Sequence, residues 1–162
     1  MKKTITFLFL ISFSMINAQA FKGKGDKKLN IGAAFQDDGV GIEASFDYGL
    51  GENASFGLAT SYVLGISSDT NYSNDFEDRI DARVRFSANL GSVLKLNPKM
   101  DIYPGLDLSL KNFGGHVGFR YFLSDGFGLF SEAVFPIAKY DTDSDGFNNQ
   151  FILNIGASFN LE

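Results

Sequence analysis

Apolar and polar residues alternate one for one along eight stretches of this chain, and past the first twenty residues no helical period appears. The stretches are Lys28–Gln36, Val40–Gly49, Ala54–Gly65, Arg79–Leu90, Asp101–Lys111, His116–Leu123, Phe127–Ala138 and Asn149–Glu162. A strand turns successive side chains to opposite faces, so each stretch predicts a strand with one apolar face. In the last, Phe151, Leu153, Ile155, Ala157, Phe159 and Leu161 line that face without a charge. Such a strand exceeds the usual soluble length of about 5–6 residues and approaches the roughly 9–11 needed to cross a bilayer. Pro104 and Pro136 interrupt the pattern and predict edges or bulges.

The charges gather on the opposite face. Glu43, Asp47, Asp81, Arg83, Arg85, Asp107, Arg120 and Glu132 all take the second parity. A lipocalin-like soluble barrel would point its apolar set inward, whereas a membrane barrel points it at lipid and fills the lumen with polar groups. The second face also holds many small residues, among them Gly32, Ala34, Gly41, Gly57, Ala59, Gly105, Gly118 and Gly156. They suit the crowded interior of a narrow eight-stranded barrel.

The N-terminus carries Lys2 and Lys3, the apolar run Ile5–Ile16, and Ala18-Gln19-Ala20, the order of a secretory signal. Cleavage after Ala20 is the best match, with Ala18 next, giving a signal peptide over residues 1–20 and one domain over 21–162. The removed segment holds two lysines and no acid, so the mature part has 12 basic and 19 acidic side chains, a net charge of −7. That balance disfavours nucleic acid, which calls for a basic footprint. With no cysteine there is no disulfide, thiolate metal site or cysteine nucleophile. Alternate connections share one end of an up-and-down barrel, and the two longest, Ile66–Asp78 and Lys139–Asn148, fall on the same end. On the other end, Asn97-Pro98-Lys99 predicts the reversal of a long turn.

The segment Asn154-Ile155-Gly156-Ala157-Ser158-Phe159-Asn160-Leu161 resembles the C-terminal insertion signal of bacterial outer-membrane barrels. The whole mature part resembles the small eight-stranded barrels of the OmpA transmembrane domain and OmpX type. The resemblance implies an all-β, eight-stranded antiparallel up-and-down transmembrane β-barrel in the outer membrane, with its long loops extracellular. It also implies surrounding outer-membrane lipid, assembly by the barrel assembly machinery through Asn154–Leu161, and a monomer. It carries no activity, since small barrels host several. The 18 Phe and 6 Tyr can build aromatic girdles without Trp.

Three constellations are candidates for chemistry. If the parity holds, the three arginines lie among the five acids and plug the lumen by pairing; a narrow ion-conducting lumen is the alternative. Asp141, Asp143 and Asp145, followed by Gly146, match the start of a calcium loop. Its twelfth position is Ile152 instead of Glu, so completion would fall to Asp69, Asp75, Glu77 or Asp78, and a solvated acidic loop is the simpler reading. His116 stands on the polar face as a structural or rim residue, with no motif marking a nucleophile and base. The expected function is therefore a non-enzymatic outer-membrane barrel whose loops bind or whose body serves the envelope. A small-solute channel and a soluble lipocalin-like binder are the competing classes.

Overall fold

A computed structural model describes residues 19–37, 39–66, 75–140 and 146–161 of the 162-residue chain. Among them lie β1 (Lys27–Gln36), β2 (Gly39–Gly49), β3 (Ala54–Ile66), β4 (Ile80–Ala88), β5 (Met100–Ser109), β6 (Asn112–Phe122), β7 (Phe127–Lys139) and β8 (Ile152–Asn160). Each pairs antiparallel with its chain neighbours, and β8 returns to β1 from Gln36↔Ile152 to Lys28↔Asn160, closing the barrel. The expected all-β up-and-down architecture is the observed one. Closure leaves no sheet edge unpaired.

Boundaries differ where a turn lies elsewhere than the sequence predicts. β6 starts at Asn112, not His116, because the reversal is confined to Leu110 and Lys111, where Ser109 Oγ accepts the N–H groups of Lys111 and Asn112 at 2.9 and 3.0 Å. Gly114 and Gly115 therefore belong to a strand and pair with Pro136 and Phe135 of β7. A helical turn, α1 (Phe76–Arg79), precedes β4 where loop and strand were expected. Its acidic residues, Glu77 and Asp78, stand at its start and Arg79 at its end, in the sense the helix dipole favours.

Pro104 and Pro136 both sit at irregularities. The β6–β7 register slips between Phe113↔Ala138 and Gly114↔Pro136, so Ile137 bulges. The β4–β5 ladder runs only from Arg83↔Ser109 to Ser87↔Gly105 and stops beside Pro104, which has no N–H to donate. It resumes through Leu90 N–H to Ile102 O at 2.9 Å. Residues 97–100 form the expected reversal, Met100 N–H bonding Asn97 O at 2.7 Å.

The barrel is apolar outside and charged within. Leu58 and Ile155 are 57% and 50% exposed, while Arg85 and Arg120 are 1% and 0%. This inverts the polarity of a soluble ligand-carrying barrel. Tyr48, Phe56 and Phe86 form an outward row across β2, β3 and β4 near the short-turn end, and Phe127 packs on Phe159 at 5.7 Å between centroids. Tyr62 and Phe76, 5.5 Å apart, stand near the long-loop end.

Candidate functional site: the lumen

Alternate residues of β4 deliver three polar arms into the lumen. Arg83 donates from Nη2 to Glu43 Oε2 of β2, which also accepts from Asn154 Nδ2 of β8 at 2.5 Å. Arg85 forks onto Glu132 of β7, with Nη2–Oε2 at 2.6 Å and Nη1–Oε1 at 3.3 Å, while its Nε lies 3.3 Å from Asp47 Oδ1. The third arm, Ser87, reaches His116. These bonds brace strands that share no ladder, β2 with β4 and β4 with β7. Burying such ions is costly, and paired geometry offsets that cost.

The eight expected charges all line the interior, but not all pair as the sequence suggested. Arg120 turns away from the five acids: its Nε lies 3.5 Å from Asp101 Oδ2, its Nη2 donates to Asn89 Oδ1 at 3.2 Å, and its guanidinium rests 3.9 Å from the Tyr103 ring centre. Asp107 bonds His116. Asp81 is fully buried and, among the described residues, reaches no cation at ion-pair distance, standing instead within the longer-range field of Arg83 and Lys111. The sequence reading does not single out Asp101, Lys28, Ser87 or Asn89. The parity that placed Asp107 inward also places Asp101 inward, so the signal was present.

Three glycines explain how the network crosses strands. Gly57 lies in register between Asp47 and Arg85, Gly105 between Ser87 and His116, and Gly118 between Tyr103 and Glu132. A β-carbon at Gly105 would overlap the His116 ring, and one at Gly118 the Tyr103 ring. Gly57 and Gly105 let a side chain lie flat over the intervening strand and reach a partner two strands away, Arg85 with Asp47 and His116 with Ser87, while Gly118 leaves room for the Tyr103 ring on which Arg120 stacks.

His116 is a mid-lumen residue instead of a rim one. Its Nδ1 stands 2.9 Å from Asp107 Oδ2 and its Nε2 2.9 Å from Ser87 Oγ. A carboxylate only accepts, so Nδ1 carries a proton and, in the neutral ring, the Ser87 hydroxyl donates to Nε2. The order Ser–His–Asp is that of a hydrolytic triad. Attack requires a substrate carbonyl against Oγ, however, and Ser87 is 0% exposed with His116 at 1%.

Chain segments cover both mouths. At the long-loop end, Phe147, Asn148 and Asn149 are buried. Asn148 accepts from Ser61 Oγ at 3.0 Å and donates to Arg79 O at 3.1 Å and, from its backbone, to Gln36 Oε1 at 2.8 Å. Lys111 Nζ donates to Phe147 O at 3.1 Å and Asp78 O at 2.5 Å, and burial lowers its pKa below the usual lysine value. Asp75, Glu77 and Asp78 thus lie around α1, while Asp69, Asp141, Asp143 and Asp145 lie outside the described residues. Ile152, at the twelfth position of the candidate calcium loop, is buried in the lumen with Ala34 and Val134. At the short-turn end, residues 20–26 fold across the opening, with Lys28 Nζ bonded to Asp26 Oδ2 at 2.5 Å.

A closed barrel with a lipid-compatible exterior and an ion-paired interior defines a membrane-spanning β-barrel. The chain belongs to a family of unknown function, DUF6646, whose model matches residues 10–161. None of the curated proteins matches it. Among solved structures it is similar to a chain from the de novo design of transmembrane β-barrels, with a TM-score of 0.57 and 12% identity over 86% of this chain and 98% of that one. That likeness shows the fold. Outer Membrane Protein G from Pseudomonas aeruginosa aligns with a TM-score of 0.47 and 12% identity, over 88% of this chain and all of the other.

Proposed function

We propose that this protein is a non-enzymatic barrel of the bacterial outer membrane, a rigid body that presents its long loops at the cell surface for binding or for an envelope-structural role. The observation that carries this is the lumen: charged side chains brace it from wall to wall and chain segments cover both mouths. Such an interior supports rigidity rather than passage. The Ser87–His116–Asp107 chain serves as a buried brace. The signal-like N-terminus and Asn154–Leu161 support export and handling by the barrel assembly machinery, and outward apolar residues on all eight strands support a monomer in lipid.

Membrane fractionation, with electrophoretic mobility compared before and after boiling, tests the barrel in the outer membrane. Recording from the purified, folded protein in planar bilayers tests the closed lumen. Steady large single-channel conductance would replace this reading with the narrow channel. A fluorophosphonate adduct on Ser87 would replace it with an acyl-transfer enzyme.

A further inference from the structure

We infer that the export peptidase cuts the Ala18–Gln19 bond, and that the segment Gln19–Asp26 stays on the mature protein as a latch across the periplasmic mouth. The inference rests on the export reading above. By motif alone the cut belongs after Ala20, since Ala18 and Ala20 then supply both small residues of the A-x-A pattern.

The fold uses Ala20, however. It is 1% exposed, packs against Phe122, itself 0% exposed, and donates its backbone N–H to Pro98 O at 2.7 Å in the β4–β5 turn. Phe21 follows as a half-buried residue, and both Gln19 and Phe21 line a cavity of about 170 Å³ with Asn89, Asp101 and Met100. The rest of the segment is fastened as well. Gly25 N–H bonds Gly49 O at 2.8 Å, Gly49 N–H bonds Asp26 O at 2.7 Å, and Lys22 N–H bonds Asp26 Oδ2 at 2.9 Å. Gly23 and Gly25 hold φ of +92° and +85°, which side-chain-bearing residues rarely adopt, so the path is written into the sequence.

Hydrolysis adds water across the cut bond and leaves a carboxylate on the signal and an ammonium on the mature chain. A cut after Ala20 would delete the N–H donor to Pro98 and the cover on Phe122, and would place the ammonium on half-buried Phe21. A cut after Ala18 keeps both contacts and leaves the ammonium on Gln19, which is exposed and so stays hydrated.

The test is mass spectrometry of the N-terminal peptide of the full protein, purified from membranes of an exporting cell. A start at Gln19, with or without loss of ammonia from the glutamine, is expected. A start at Phe21, at any later residue, or at Met1 overturns the inference; heat-dependent mobility of the same sample reports separately whether the barrel reading survives. The latch is read by amide exchange. Phe122→Ala, far from the cut along the chain, is expected to speed exchange at Ala20 by about tenfold or more through local opening. Unchanged exchange there would show that Ala20 does not hold the mouth.

Discussion

The ring of Tyr103 lies over the backbone of Gly118, its register partner on β6, in the space a β-carbon would occupy, and Arg120 stacks on the ring. Gly118→Ala therefore forces the ring, and Arg120 with it, out of place. The expected loss is roughly 1–3 kcal/mol for an overpacked interior, read by urea unfolding in detergent or lipid. Tyr103→Leu added to Gly118→Ala is expected to recover part of it, whereas independent losses that simply add would contradict the stacking.

Arg85→Met removes the cation shared by Glu132 and Asp47 and leaves both carboxylates in the lumen. Breaking a buried pair from one side costs about 3–5 kcal/mol, and neutralising the orphaned acids with it costs far less. The temperature at which the folded electrophoretic band disappears should fall sharply for Arg85→Met and recover in the triple variant with Glu132→Gln and Asp47→Asn.

Ile155 faces outward at mid-strand on β8, half exposed, beside inward Asn154. Ile155→Arg should cost roughly 2–4 kcal/mol near the bilayer midplane, while Ile155→Leu should be neutral. Folding yield into vesicles measures the difference. Equal yields would place position 155 away from lipid.

His116→Phe keeps a ring over Gly105 but strands Ser87 Oγ and the Asp107 carboxylate. Loss of buried partners predicts a destabilisation of about 1–3 kcal/mol. Wild type and variant alike should give no fluorophosphonate adduct, checked by intact mass.

Calcium is expected to leave the melting temperature unchanged, because the closing position of the Asp141–Gly146 motif is Ile152, enclosed in the lumen. A rise on adding calcium, reversed by chelation, would reveal preferential binding to the folded state and a site completed by neighbouring acids.

Strand number and parity were legible in the sequence because both follow from side chains two residues apart on one strand, and loop asymmetry because connection lengths can be counted directly. The alternation around Glu43, Arg83 and Glu132 is enough to set inside from outside once the face is chosen. The start of β6 was not legible. Glycines read as a turn when their neighbours are unknown, and Gly114 and Gly115 are glycines because β7 lies against them, with the Phe135 carbonyl 2.7 Å from where a β-carbon of Gly114 would sit.

The sequence by itself determined that eight alternating strands sort charge and hydrocarbon onto opposite faces, a local periodicity that needs no tertiary information, and the closed barrel put the charged face inside. Only the closed barrel decided which charges meet. Arg85 finds Glu132 forty-seven positions away, and Asp107 takes His116 in place of an arginine, because closure sets shear and register around the ring. The same closure gave Gly57 and Gly105 their particular work, passing side chains over one strand to a partner on the next, and Gly118 its own, leaving room for the Tyr103 ring, roles that no glycine reveals before its cross-strand neighbours are known.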